Sequence, residues 1–375
     1  MDLTAAAPVS SAVRSLCDGF NGFGLDLHRG LPAGGNTFIS PLSIGAALAA
    51  LLPGARGETA AELGRVLRVQ GTVEDTARAM AELRGILEPR STEEESWNDE
   101  TGAFERVARE TFRLSLATGL FVEEAYPLHT AFCDALTEAF GADFFSVTFA
   151  DAEATADRVN TWVADKTEDR ITDLVSPDSV LPDMRLILAD AVYFKARWAD
   201  QFAEEVTRPK PFHLLPGGGT ENGDVPMVNV PMMAKQGTFF YWKSESADAE
   251  ALHIDYEEEL SMLVVLPATG RFAEVEAGLT TDLLARMYTE SERTLVELEF
   301  PRFEMRFETQ LGDVLQELGL ETAAATAIAA MAGAWREEEL PQPVPFVVDR
   351  PFYFFIQERL TGAVLFMGRV LDPAA

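Results

Sequence analysis

Several residue types and patterns that usually identify a protein class are missing from this sequence. Its 375 residues include only two cysteines, Cys17 and Cys133, which excludes a disulfide framework and indicates two buried thiols. No apolar run is long enough to cross a bilayer. The N-terminal residues lack a basic start followed by an apolar stretch. We therefore expect no signal peptide and a cytoplasmic protein, or a secreted one if this chain is already processed.

Positive charge is also scarce. Lysine and arginine total 30 against 61 aspartates and glutamates, which gives a net charge of −31 and a pI of about 4.4. Such an acidic surface repels phosphate backbones and anionic lipids, which excludes nucleic acid and membranes as expected partners. Two interpretations of the acidity stay open: solvation in high salt, or a genome that favours Arg, Ala and Gly.

The common catalytic and metal-binding motifs are absent as well. There is no GxxxxGK phosphate loop, no HExxH, no GxSxG and no paired CxxC. Carboxylates are so numerous that pairs of them carry no information, and the histidines show no ligand spacing. We therefore predict no enzyme, no cofactor and no metal site. The histidines are His28, His129, His213 and His253.

The sequence does contain a change of pattern along the chain. Apolar residues recur at helical spacing in the first third, as in Ser43–Leu52 after a Ser-Pro start. From Leu186 onward, β-branched and aromatic runs predict strands, and the last two, 351–357 and 363–370, form a predicted hairpin across Thr361-Gly362. Helices followed by many strands indicate an α+β fold.

One segment, 89–102, interrupts this pattern. It reads PRSTEEESWNDETG, which is polar, acidic and rich in turn formers. This composition predicts an acidic loop or an insertion with local disorder. No internal repeat divides the chain, and we expect a single domain over residues 1–375.

Residues 321–334 read ETAAATAIAAMAGA and contain almost nothing that could do chemistry. Because alanine is the best helix former, Leu311–Trp335 could form one continuous helix, and composition alone favours this. As a strand, the tract would have two distinct faces, with Thr326 and Ile328 on one and Glu321 on the other. The flanking sequence has to decide between helix and strand.

Several segments, in order from the first helix to the C-terminus, resemble signatures of the serpin family. They are Asn36–Ile44 (NTFISPLSI), Gly54–Thr59 (GARGET), Asn160–Val163 (NTWV) through Ile171, Leu186–Trp198 (LILADAVYFKARW), Met232-Met233, Ser261–Pro267 (SMLVVLP), Pro301–Phe303 (PRF), and the closing RPFYFF and TGAVLFMGRV. The resemblance implies the serpin fold. In that fold, helices pack on a large mixed main β-sheet with smaller sheets, and a reactive loop, here 321–345, is exposed.

The resemblance also implies a mechanism. A serpin presents its reactive loop to a protease as a substrate. After the acyl-enzyme forms, the hinge of the loop inserts into the main sheet as an extra strand, which drags the protease along and distorts its active site. The small-residue tract would be this hinge, which favours a loop and later strand over the helix. The implied hinge residues are Glu321, Thr322, Ala323, Ala324, Ala325, Thr326 and Ala327.

By the same resemblance, the scissile bond falls at Gly333-Ala334. The segment from there to Asp349 is longer than is usual in the family, so Trp335 and Arg336 are further candidates. Cleavage at Arg336 would imply a trypsin-like target, whereas cleavage at Gly333 or Ala334 would imply a protease that prefers small residues.

Four further residues take roles from the resemblance. Ser40 and Ser43 match the shutter positions beneath the main sheet, and Trp198 matches the residue where the loop first enters. Plain helix capping and core packing would explain these three equally. Asp190 stands where the family has Asn, and because an ionised Asp only accepts hydrogen bonds, it would be costly in a buried site without a donor.

The chain departs from the family in one large respect. Glu321 follows the helix that ends near Gly319 at once, and the long strand that precedes the hinge in serpins is missing. Leu320 also stands where the family prefers Thr or Ser. The missing strand borders the insertion gap, so its loss would leave an open sheet edge unless the tract itself fills that position. A faulty gene model and an engineered deletion are alternative origins.

The resulting expectation is a monomeric serpin-type inhibitor of serine, or alternatively cysteine, endopeptidases that acts as a suicide substrate. The alternative is a non-inhibitory protein of the same fold, either a cleavable substrate or a binding scaffold, because the strand beside the insertion gap is absent. The expected partner is a target protease, and no metal or cofactor is expected.

Overall fold

The structure, a computed structural model, describes residues 9–98, 103–126, 128–215, 226–307, 311–320, 328–329 and 343–375. The helices in these ranges are α1 (Ser11–Gly30), α2 (Pro41–Ala49), α3 (Gly57–Val66), α4 (Val73–Ile86), α5 (Thr130–Phe140), α6 (Ala152–Lys166), α7 (Phe272–Gly278), α8 (Thr281–Thr289) and α9 (Gly312–Glu317). None of these helices has both the length and the apolar character that crossing a membrane requires.

The strands in the same ranges are β1 (Thr37–Ile39), β2 (Arg90–Asn98), β3 (Ala103–Glu123), β4 (Asp143–Val147), β5 (Leu186–Ala196), β6 (Arg208–His213), β7 (Met227–Ser244), β8 (Ala249–Asp255), β9 (Leu260–Pro267), β10 (Glu292–Pro301), β11 (Arg306–Phe307), β12 (Ile328–Ala329), β13 (Val344–Val347), β14 (Phe352–Glu358) and β15 (Val364–Val370).

Local sequence explains why helix α2 begins where it does. The hydroxyl of Ser40 accepts a hydrogen bond from the backbone N–H of Ser43 at 3.1 Å, and Pro41 occupies the first turn, where its missing N–H costs nothing. All nine residues of α2 are buried, in keeping with their apolar sequence. The predicted helix after the Ser-Pro start is therefore confirmed.

The strands form two main sheets and one short pair. Nine strands make a mixed sheet in the order β1-β15-β14-β9-β8-β7-β10-β13, with β6 also bonded to β7 and only β10 and β13 parallel. In a four-stranded sheet, β3 pairs with β2, with β4 and with β5. Strands β11 and β12 pair with each other. With helices on these sheets, the predicted α+β class is confirmed.

The described residues form two apolar clusters. The larger joins α1 and α2 to the nine-stranded sheet and to one face of the four-stranded sheet. The smaller lies between α6 and the opposite face of the four-stranded sheet, where Phe121, Trp162 and Ala191 are buried. Strand β5 is therefore in contact with α2 on one side of its sheet and with α6 on the other, which holds it in a fixed layer.

The predicted C-terminal hairpin is also present. Strands β14 and β15 pair in antiparallel register from Phe352↔Val370 onward, and Gly362 takes the positive φ of 79° that the turn requires. The carboxylate of Glu358 accepts hydrogen bonds from the backbone N–H and the hydroxyl of Thr361, so the turn is closed by side-chain as well as backbone bonds.

Two expectations that rested on composition were wrong. The acidic segment is not a loop over 90–98, which forms strand β2 in antiparallel register with the first half of β3; residues 99–102 lie outside the described residues. The register runs from Ser91 opposite Glu110 to Asn98 opposite Ala103. Composition within one segment could not reveal its partner.

The second is the continuous helix from Leu311 to Trp335, which composition alone favoured and the family resemblance did not. Helix α9 ends at Glu317, and Gly319 adopts a positive φ of 93°, a common end of a helix. Farther along, Ile328–Ala329 forms strand β12.

A substitution at Gly368 tests how closely strands β1 and β15 approach each other. A Cβ atom at this position would overlap the carbonyl oxygen of Thr37, so Gly368→Ala forces the two strands apart. We expect a loss of about 1–3 kcal/mol or more in the free energy of unfolding, measured by urea denaturation. Gly85→Ala is the matched control, because Gly85 lies in α4 with open space around it. It should be neutral or stabilising by about 0.5–1 kcal/mol, and equal losses for the two variants would contradict the close approach.

Candidate functional site at the edge of strand β5

Strand β5 is bonded along its whole length on one side only. Its eleven residues pair with β3 in antiparallel register, from Leu186↔Val122 to Ala196↔Phe112. On its other edge, no strand pairs with it among the residues that the structure describes. Backbone N–H and C=O groups need partners when they are removed from water, so this edge is able to accept another strand.

The short strand β12 lies close to this edge without bonding to it. The Cα atoms of Ile328–Ala329 come within 8 Å of those of β5 and of β1. Their backbone pairs instead with β11, through the register Arg306↔Ala329 and Phe307↔Ile328. Ile328–Ala329, the described part of the small-residue tract, is therefore paired with β11 and close to β5, where the sequence predicted that a strand is missing.

The chain is anchored immediately before the predicted hinge. Leu320 is only 1% exposed and its N–H donates to the carbonyl of Leu315 at 2.8 Å. In the described part of the chain, no strand follows α9 before residue 328. The seven hinge residues 321–327 and the scissile-bond candidates at 333–336 lie outside the described residues, so those assignments stay predictions.

The structure brings Ser40, Ser43 and Asp190 together below β5. All three side chains are buried, with Asp190 2% exposed in the middle of the strand. The hydroxyl of Ser43 donates to Oδ2 of Asp190, and the hydroxyl of Thr118 on β3 donates to Oδ1 at 3.4 Å. Ser40 is linked to this cluster because its hydroxyl accepts the hydrogen bond from the backbone N–H of Ser43.

Asp190 therefore has hydroxyl donors, and within the described ranges no Lys, Arg or His side chain bonds to it. Burial raises the pKa of its carboxyl to about 7, and the hydrogen bonds from Ser43 and Thr118 oppose this shift only partly. The sequence analysis noted that a buried Asp without a hydrogen-bond donor would be costly, and Ser43 and Thr118 supply such donors. Sequence reasoning did not find Thr118; its only signal is its position opposite Asp190 in the register of β3 and β5.

Trp198 lies just beyond the end of β5 and is fixed by another aromatic ring. Its indole stacks on the ring of Tyr256 with centroids 4.1 Å apart and planes 6° apart, and the two residues form an isolated antiparallel bridge. Trp198 is buried, and Phe202 packs against it edge-on at 6.2 Å. Tyr256 was not singled out from the sequence, because it comes close only through folding.

Nothing in the described ranges gathers three or more side chains able to hold a metal ion. The histidines fit structural roles where the structure gives them partners. His28 is buried and bonded to the hydroxyl of Thr37 at 2.8 Å, and burial lowers its pKa to about 4. His253 contacts the carbonyl of Met287 at 3.1 Å, and burial likewise lowers its pKa to about 4.

Comparison with known proteins identifies this arrangement. The family model described as serpin (serine protease inhibitor) matches residues 18–323 and 319–373. This chain belongs to the serpin family. Its fold is accordingly a serpin fold, in which β5, as far as the described residues go, pairs on one edge and lies over a buried serine pair.

Individual serpins cover nearly the whole chain. An uncharacterised serpin-like protein of Thermococcus kodakarensis is 31% identical, with 96% of this chain and 86% of that protein aligned. Leukocyte elastase inhibitor of Homo sapiens is 29% identical, with 94% and 97% aligned. Human thyroxine-binding globulin has the same fold, with a TM-score of 0.80 at 21% identity, covering 97% of this chain and 100% of that one. The serpins most similar to this chain thus include a protein named as an inhibitor and a protein named for binding a small molecule.

The family match comes in two parts, which overlap at residues 319–323, next to the predicted hinge. The alignment with the Thermococcus kodakarensis protein has 399 positions, whereas 96% of this chain is about 360 residues, so about 39 positions have no counterpart here.

The raised pKa of Asp190 predicts a pH-dependent stability. The folded protein binds this proton more tightly than the unfolded chain, in which the pKa is near 3.8. The contribution of Asp190 to the free energy of unfolding therefore falls as pH rises from about 4 to about 7, by at most about 4 kcal/mol. Asp190→Asn should remove this loss of stability with rising pH. The free energy of unfolding, measured by urea denaturation at pH 5 and at pH 8, tests this.

The expected result is a variant that is more stable than the unaltered chain at pH 8, with a smaller difference at pH 5. Asp183→Asn is the control, since Asp183 is exposed and reports the effect of removing one charge from an acidic protein. A pH dependence that is the same with and without the Asp190 carboxyl would show that Asp190 does not hold the proton.

Proposed function

We propose that this chain is a serpin-type inhibitor of serine endopeptidases that acts as a suicide substrate. In this proposal, the protease cleaves within Gly333–Arg336 and the tract that begins at Glu321 then adds a strand beside β5. The observation that carries the proposal is the unpaired edge of β5 among the described residues. One chain contains the edge, the hinge and the cleavage site, so the mechanism needs no second copy.

The driving force would be the backbone pairing of β5. Each net hydrogen bond contributes about 0.5–1.5 kcal/mol, so a strand as long as β5 would add several kcal/mol together with the apolar area that it buries. Before cleavage the tract is tied at Leu320 on one side and to β13 on the other. Cutting the segment between these ties would release one end and allow insertion, which is a way to store strain and release it by proteolysis.

A non-inhibitory role is the second candidate, and one observation favours it. Ile328–Ala329 is already paired with β11 and lies beside β5. If the tract occupies the missing strand position before cleavage, little further pairing remains to be gained. The protease would then cut the chain and leave, and the protein would act as a substrate or a binding scaffold.

The two candidates differ in one measurement, the formation of an SDS-stable complex. We expect trypsin, or a protease that prefers small residues, to form such a complex with the chain on a denaturing gel. The complex persists because insertion outpaces hydrolysis of the acyl-enzyme. The opposite result is clean cleavage near Gly333 with no complex at any ratio of protease to chain. It would contradict the inhibitor proposal and support the second candidate.

Two hinge variants sharpen this test. In the proposed inserted strand, Thr326 shares the inward face with Ile328, whereas Ala325 shares the outward face with Glu321. Thr326→Arg should place a charge against the buried layer, prevent insertion and convert the chain into a cleaved substrate. Ala325→Arg is the matched control and should keep most of the complex. Equal behaviour of the two variants would count against strand insertion.

Thermal unfolding before and after cleavage provides an independent check. A chain that inserts a strand after cleavage should unfold at a clearly higher temperature, because it gains backbone bonds and buried area. Thr326→Arg, cut by the same protease, should gain much less. A cleaved and an intact chain with the same unfolding temperature would mean that the tract was in place from the start.

A further inference from the structure

Strands β2 and β3 form a two-stranded ribbon that continues beyond the paired part of the four-stranded sheet. Strand β5 pairs with β3 only from Phe112 onward, and β4 pairs with it only over Gly119–Glu123. Over residues 103–110, β2 is the one strand that pairs with β3 in the described part of the chain. Residues 91–98 and 103–110 are called the β2–β3 ribbon below.

The ribbon is held to the rest of the protein at its base. The hydroxyl of Thr111 donates to Oε1 of Glu258, in the turn between β8 and β9, at 2.8 Å. Among the described helices and strands, β3 alone lies extensively against β2, and Ser91 and Arg106 in the ribbon are both exposed. Eight residues of strand span about 26 Å. Because a two-stranded ribbon is only marginally stable in water, this one would be stabilised by a further strand.

The two edges of the ribbon differ in their charge pattern. Strand β2 has three consecutive glutamates at 93–95, so pairing with β2 of a second copy would place like charges opposite each other. On β3, Glu105 and Arg109 stand two positions to either side of Val107 and share a face with it. Antiparallel pairing of two copies about Val107 therefore puts each Glu105 opposite Arg109 of the other copy.

We propose that the β3 edge of the β2–β3 ribbon is an interface at which two copies of this chain pair in antiparallel register about Val107. The two-fold axis passes through this position, so the interface has two equivalent Glu105–Arg109 pairs. The two ribbons together make a four-stranded sheet, which is stable where a lone ribbon is marginal. The family resemblance implied a monomer, whereas this interface makes the chain a dimer. It does not depend on whether the chain inhibits a protease.

Charge reversal tests the interface in the full chain by analytical ultracentrifugation. The salt concentration is about 0.15 M, at which charges more than about 8 Å apart are largely screened. The mass should rise with concentration from 41.0 kDa toward twice that value. Arg109→Glu alone, or Glu105→Arg alone, sets like charges opposite each other twice and should weaken the dimer at least about ten-fold. The double variant restores both opposite-charge pairs and should restore the dimer.

The chain offers a matched control for these variants. Glu94→Arg makes the same change of charge as Glu105→Arg, but on the other strand of the ribbon, and should leave the dimer in place. Within one ribbon, Glu105 and Arg109 stand opposite Ser96 and Thr92, so reversal creates no directly opposed like charges there. A single 41.0 kDa species at every concentration would overturn the proposal. A dimer that both single reversals leave unchanged, or that the double variant does not restore, would overturn it as well.

Cysteine cross-linking locates the two-fold axis. With Cys133 replaced by Ser, Cys17 is the remaining natural thiol and is buried. Val107→Cys then places two thiols opposite each other, where Cβ atoms are about 4.5–5.5 Å apart, and mild oxidation should give a disulfide-linked pair on a non-reducing gel. Ser96→Cys lies on β2, so its two copies are about 14 Å apart across the four strands and should not cross-link. Equal cross-linking of the two variants, or none in Val107→Cys, would contradict the assigned register.

Discussion

The backbone of β5 has a bonded neighbour on one edge only within the described residues, and the rest of the site depends on this constraint. Helix α2 packs below the strand and α6 above it, so β5 cannot turn its free edge toward water by leaving its layer. An edge held in this way tends to acquire a partner from whatever chain is near. Ile328–Ala329, the described part of the small-residue tract, lies close to β5 while pairing with β11.

Asp190 links this edge to the layers beside it. Its carboxyl is bonded to Ser43 on α2 and Thr118 on β3, so one buried group joins three elements. Ionisation would place an unpaired charge in the layer, whereas the protonated acid is close to an amide in size and polarity. Because burial raises the pKa of this carboxyl, the protonated form is the one that the layer favours.

The sequence was sufficient wherever the structure depends on neighbours along the chain. Ser40 and Pro41 predicted the start of α2, and Thr361-Gly362 predicted the last hairpin. It failed where the partner is distant. Strand β2 was predicted as a loop from its polar, acidic composition, and its partner strand β3 lies outside that segment. Thr118 contacts Asp190, and Tyr256 contacts Trp198, only in the folded chain. Such pairs leave no local pattern of spacing or composition.

The length of the tract bears on how a serpin could work without its usual strand before the hinge. Leu320 is fixed in the core, and twelve residues separate it from Gly333, the first scissile candidate. Strand β5 is eleven residues long. Since strands rise by a similar distance per residue, one segment of this length matches the free edge from end to end. The same segment would also reach β11, where Ile328–Ala329 already pairs. A single strand could thus replace both the missing strand and the inserted loop, and what matters is whether its pairing with β5 is completed before or after cleavage.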